Sequence, residues 1–250
     1  MTQAMNPIEY RDGTVTCKGQ LVLPAGTDRR PGVVVFPDIS GVSEHPIGRA
    51  NRLAEEFGYI ALVADVYGEG KAPPFPEAME VVASWLLKPD DLARRAGAAL
   101  DALKAHSRCN GRLSAIGFCF GGATVLALAR SGNADLRAGA SFHGVLATPK
   151  PAVPGVVKAK LLVLHGAEDP GAGEAAFRGQ GDIKSKTVLE FTHEMSNAGV
   201  DCQTISYSGV VHGFTIPDAA KFGMPAVMRY DPVADRRSWQ AMATFFQEVL

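Results

Sequence analysis

The chain predicts an α/β fold: a mostly parallel central sheet with helices on both faces. Three observations carry that expectation. Apolar, β-branched runs alternate with helical patterns along all 250 residues, the order that winds a parallel sheet. The run Gly32-Val33-Val34-Val35-Phe36 is apolar without a break, as a strand buried on both faces must be. A third signal is a short strand pattern that stops at Gly117, passes through Cys119 and enters an apolar helix behind Gly121 and Gly122.

Taken in order, residues 15–23 alternate loosely and close at Pro24, which suggests an antiparallel strand near the sheet edge. The strand ending at Phe36 opens into the loop Pro37-Asp38-Ile39-Ser40-Gly41-Val42, at the sheet edge where ligands of open α/β folds gather. Residues 49–57 read as a helix stopped by Gly58. A second core strand, 59–64, ends in Asp65-Val66-Tyr67-Gly68-Glu69-Gly70, and an irregular excursion with Pro73, Pro74 and Pro76 follows. Helices are expected over 77–87 and 90–105, with Pro89 between them. Beyond the turn at Cys119 come strands at 138–142 and 160–164, a helix at 187–198 and a last strand at 202–207. Residues 234–250 form an amphipathic helix with Trp239, Met242, Phe245, Phe246 and Val249 on its apolar side. No repeat, low-complexity tract or linker intervenes, so residues 1–250 are expected to be one domain.

Charge excludes some partners. With 25 Lys+Arg against 26 Asp+Glu, the net charge of −1 provides no basic field for nucleic acid or an anionic membrane. A small neutral or mildly polar molecule is the expected partner, bound by a monomer or homodimer. Cys17, Cys109, Cys119 and Cys202 are scattered and form no C-x-x-C pair, so neither a metal site nor a disulfide framework is expected. The first residues lack the pattern of a secretory leader, and no apolar run approaches the roughly 20 residues that span a bilayer. A cytoplasmic location is the expectation.

Gly117-x-Cys119-x-Gly121 has the form of a nucleophile elbow with cysteine in the serine's place. A thiol at a helix N-terminus is favoured as thiolate, and the free N–H groups there favour an oxyanion formed beside it. The competing reading is a small buried cysteine opening an ordinary helix. A cysteine nucleophile needs a base, and the base needs an orienting acid. Behind successive later strands the chain supplies Asp169 and then His212, giving the order nucleophile, acid, histidine. Glu168 competes with Asp169, but the H-G-x-x-D spacing from His165 favours Asp169. His143 and His165 precede the expected acid and read as strand-end histidines that line or support the cleft. His45, His106 and His193 read as residues of solvated faces.

The combination of Gly117-Phe118-Cys119-Phe120-Gly121-Gly122, Asp65-Val66-Tyr67-Gly68, His165-Gly166-Ala167-Glu168-Asp169 and His212-Gly213-Phe214 resembles the dienelactone hydrolase family over nearly the whole chain. The resemblance implies an α/β-hydrolase fold, a Cys119-His212-Asp169 triad and cofactor-independent hydrolysis of an ester or lactone through a thioester acyl-enzyme. It further implies an oxyanion hole made by the backbone N–H groups of Ile39 and Phe120. Asp38 stands where the family's prototype has a glutamate that contacts the nucleophile; its other reading is a strand-end turn residue. Tyr67, Lys71, His143 and Phe214 are expected to modulate substrate or nucleophile. The prototype's two carboxylate-binding arginines have no counterpart in Gly68-Glu69-Gly70-Lys71 or Phe214-Thr215-Ile216-Pro217. Dienelactone itself is therefore not the expected substrate, although Lys71 offers a point charge. A ligand-binding protein without hydrolysis and a redox-responsive thiol protein are the competing function classes.

Overall fold

The computed structural model describes residues 6–171 and 187–250. Its strands, in chain order, are β1 (Asn6–Asp12), β2 (Val15–Val22), β3 (Arg30–Phe36), β4 (Ile60–Val63), β5 (Cys109–Phe118), β6 (Leu136–Phe142), β7 (Lys160–Gly166) and β8 (Cys202–Tyr207). They form one sheet in the spatial order β1-β2-β4-β3-β5-β6-β7-β8. From β4 to β8 every neighbouring pair is parallel, while β2 runs antiparallel to both β1 and β4. The helices are α1 (Glu44–Phe57), α2 (Glu77–Leu86), α3 (Pro89–Ala105), α4 (Phe120–Arg130), α5 (Val188–Asn197) and α6 (Pro232–Val249). The fold is that of the α/β-hydrolases.

The unbroken apolar runs have a direct physical cause. Successive side chains of a strand point to opposite faces, and both faces are covered. Val34, Phe36, Leu62, Ala115, Leu161 and Val163 pack on one side with α2, α3, α4 and α5. Val33, Val35, Ala61, Val63, Ile116, Phe118, Leu162 and Leu164 pack on the other with α1 and α6. Each Val, Leu, Ile or Phe among them contributes about 1.5–3 kcal/mol on burial, so these two layers dominate stability. Helix α4 is buried along its whole length, which explains why its sequence is apolar all round rather than on one stripe.

Three elements differ from expectation. The edge strand is β1, which the sequence reading does not anticipate; residues 15–22 lie beside it, antiparallel and near the sheet edge as expected. Helix α1 begins at Glu44 rather than Arg49 and carries Pro46 in its first turn, where a missing N–H breaks no intrahelical bond. Helix α6 begins at Pro232, capped by Asp231 accepting from the Val233 and Ala234 amides. Among the described residues, no helix is long and apolar enough to cross a membrane.

Candidate active site

The carboxyl ends of β3, β5, β6, β7 and β8 converge on Cys119. At the end of β5 the chain must reverse into α4 within one residue, and Cys119 absorbs the turn at φ 55°, ψ −113°. The flanking glycines are required by contact. A Cβ on Gly117 would lie 2.0 Å from the Gly121 carbonyl oxygen, and one on Gly121 would lie 2.0 Å from that of Phe36. The Cys119 amide donates to the Phe142 carbonyl at 3.0 Å, fixing the elbow against β6. Behind it the N–H groups of α4's first turn have no intrahelical acceptor.

His212 stands between Cys119 and Asp169. Its Nδ1 lies 2.7 Å from Asp169 Oδ2, with both side chains 2% exposed. Burial disfavours the imidazolium, but the charges of Cys119 and Asp169 outweigh it and lift His212 well above the ordinary histidine value. The acid loop is tied to the segment before His212: Ala167 and Glu168 amides donate to the Tyr207 and Val210 carbonyls at 2.9 Å. Asp169 turns inward and Glu168 outward to solvent. On the other side, His212 pairs with Met228 in a short bridge, and a Cβ on Gly213 (φ +68°) would meet Met228 Cγ at 2.6 Å.

Facing the elbow is the loop after β3. Asp38 is buried and accepts from the Ser40 amide at 2.8 Å, while its other oxygen lies 3.2 Å from His45 Nδ1. Burial opposes its ionisation, but the hydrogen bonds of His45 and Ser40 prevail and hold its carboxyl below the usual range. The Tyr67 hydroxyl donates to the Ile39 carbonyl at 2.9 Å, and its ring lies 6.1 Å from that of Phe120. Burial, with Cys119 and Asp38 nearby, raises the Tyr67 phenol well above its usual value and keeps it a donor. Asp65, the first residue of the Asp65-Val66-Tyr67-Gly68 segment, accepts from the Lys18, Gly68 and Gly70 amides and so shapes the turn that presents Tyr67.

A model of the dienelactone hydrolase family matches residues 17–250. The chain belongs to that family, and is a carboxylic ester hydrolase. A dienelactone hydrolase-like promiscuous phosphotriesterase from metagenomic libraries is 35% identical and superposes with a TM-score of 0.86, covering 100% of this chain and 99% of that one. The solved protein m3DLH is 36% identical with a TM-score of 0.85 over 100% of both chains. A Bradyrhizobium sp protein named probable 2-oxo-3-(5-oxofuran-2-ylidene)propanoate lactonase is 28% identical over 95% of this chain and 92% of its own.

The remaining candidates fall around this centre, His143 and His165 as supporting strand-end histidines and the others in places of their own. Phe214 is fully buried against His143 and Tyr207, at 5.0 and 5.6 Å between ring centroids, so it packs beneath the histidine loop and not in the cleft. His143 is equally buried; its Nε2 lies 2.8 Å from Thr215 Oγ1, and its ring meets that of His212 edge to face. His165 sits 3.7 Å from Asp169 Oδ2, beside the acid. Lys71 is exposed, on a turn whose Gly70 packs against Lys18 of β2. His45 overturns the solvated-face reading: its side chain is 8% exposed, bridging Asp38 and Arg49. Sequence reasoning also missed Arg49, Thr215, Met228 and Asp235. His45, Arg49 and Leu53 recur at four-residue spacing on the buried side of α1, a signal that two basic residues face inward. Among the described residues, no group of three or more His, Cys, Asp or Glu is arranged to hold a metal ion.

Proposed function

We propose that Cys119, His212 and Asp169 act as a catalytic triad that hydrolyses a small, neutral ester or lactone without a cofactor. The observation that carries this reading is the 2.7 Å His212–Asp169 pair, with Cys119 near enough to the same ring for its charge to raise it, at an elbow aimed by its glycines. The Cys119 thiolate attacks the carbonyl carbon, and the oxyanion takes hydrogen bonds from the Ile39 and Phe120 amides. Preorganised donors of this kind contribute about 3–4 kcal/mol each. Collapse breaks the C–O bond, and His212 gives its proton to the departing alkoxide, leaving a thioester on Cys119. His212 then takes a proton from water, hydroxide attacks the thioester, and the carboxylic acid leaves with the thiolate restored. With a lactone the alkoxide stays tethered, and the product is a single hydroxy acid.

Asp38, engaged by Ser40 and His45, braces its own loop in this scheme, and Tyr67 braces it from the other side. A neutral substrate follows from the absence of an arginine at the two positions that match the prototype's clamp, since a bidentate guanidinium has no equivalent in an exposed lysine. The lactonase name of the Bradyrhizobium relative and the phosphotriesterase name of the metagenomic one both fit an electrophile opened by a single nucleophile. Cys202, the least buried of the other cysteines, has its thiol pushed up to about 11 by burial, which disfavours it as a resolving partner in a redox role. The test is p-nitrophenyl acetate turnover: Cys119→Ala should abolish it, and rapid quench of the native enzyme should trap acetyl on Cys119. Unchanged turnover in Cys119→Ala overturns the assignment.

A further inference from the structure

Behind the β3 loop a row of buried polar groups crosses the interface between α1 and α6. Arg49 lies 6% exposed between the Phe118 and Trp239 rings, each 5.6 Å from its guanidinium. Its Nη2 donates to the Thr215 carbonyl at 2.6 Å and to Asp235 Oδ2 at 2.9 Å, and Nη1 lies 2.9 Å from Asp235 Oδ1. Its Nε donates to His45 Nε2 at 3.3 Å. An arginine can only donate, so His45 Nε2 accepts, the ring proton sits on Nδ1, and Nδ1–H donates to Asp38. The arginine thus sets the tautomer that the loop needs, and the tautomer orients Asp38.

We propose that His45 is a positioning residue for the oxyanion loop, acting through Asp38, with Arg49 and Asp235 as its anchor; this rests on the reading of Ile39 as an oxyanion donor. Asp38 holds the Ser40 amide through its side chain and the Gly41 amide, at 3.1 Å, through its carbonyl. Ile39 lies inside that turn, with its own carbonyl fixed by Tyr67. Releasing Asp38 therefore frees one side of the peptide that presents the Ile39 N–H. The same arginine grips Thr215, three residues after His212, so the two loops that flank the nucleophile share one anchor.

Paired variants separate position from mere packing. The Asn side chain in His45→Asn carries its N–H where Nδ1–H was, whereas that of His45→Gln reaches toward Arg49 and leaves Asp38 Oδ2 without its donor, only Oδ1 still held by Ser40. On p-nitrophenyl acetate, His45→Gln should lose about 10²-fold in kcat with KM little changed, the size of effect expected for an oxyanion donor displaced by an ångström. His45→Asn should lose distinctly less. Alkylation of Cys119 by iodoacetamide, read by mass spectrometry at that residue, needs the thiolate but no oxyanion hole, and should proceed at the native rate in both. Equal losses in the two variants, the reverse order, or slowed alkylation overturn the proposal. An active Cys119→Ala protein would instead overturn the triad reading beneath it.

Discussion

The carboxyl ends of β6 and β8 each lead to a buried histidine, and the two rings meet edge to face with centroids 5.0 Å apart. They share residue type and burial, yet their surroundings drive them in opposite directions. Burial forces His143 well below the ordinary value, and the neighbouring positive groups, His212 first among them, push the same way. His212 suffers the same burial, but Cys119 and Asp169 reverse its effect. Burial only sets how costly a charge is; the partner beside the ring decides whether the charge is held. A neutral histidine with a hydroxyl partner therefore supports a charged one with a carboxylate partner, and only the second is equipped to move protons.

Removing the partner that distinguishes the two rings should have the largest effect. Asp169→Asn should lower kcat/KM for p-nitrophenyl acetate by about 10³–10⁴-fold, as loss of the orienting acid does in related triads. Cys119 and Asp169 lift His212 well above its ordinary value, so removing the Asp169 charge should move the alkaline limb of the pH–rate profile to lower pH in the variant. An unmoved limb would break the comparison. His143 makes the opposite, smaller prediction. Its folded value is depressed, so its contribution to stability is present above the unfolded value of about 6.5 and is lost as pH falls below it, by up to about 1.4 kcal/mol per pH unit. His143→Gln keeps an amide that can reach Thr215 and cannot titrate; urea midpoints between pH 7 and 5 should fall less steeply than in the native protein. An unchanged slope would assign the acid sensitivity elsewhere.

The strands and the elbow are legible in sequence because local rules govern them. A run buried on both faces must be apolar throughout, and a turn that packs backbone on backbone must be glycine. Chain order alone then brings Cys119, Asp169 and His212 to one sheet edge. The bracing residues follow no local rule. His45 to Asp38 is a short-range contact, but Arg49 meets Thr215 and Asp235 across 166 and 186 residues of chain, and only the packing of α6 on α1 creates that site. Pro46 and Gly48 further hide the first turn of α1 by interrupting its periodicity. Phe214 misleads for the converse reason: adjacency to His212 suggests a place in the cleft, but the backbone turn after Gly213 directs it into the core. Strand β1 alternates Ile8 and Tyr10 with Glu9 and Arg11, a weak signal easily lost beside Pro7.

The backbone of Cys119 has a consequence for heat resistance. An L-residue at φ 55°, ψ −113° stores about 1–3 kcal/mol of strain, whereas glycine reaches positive φ freely. Alanine normally stabilises a chain over glycine by about 0.4–1 kcal/mol through the unfolded ensemble. At this one position the ranking should invert, so that Cys119→Gly melts above Cys119→Ala in a calorimeter. The tension that holds the elbow is thus a durability this fold forgoes at the residue proposed as its nucleophile.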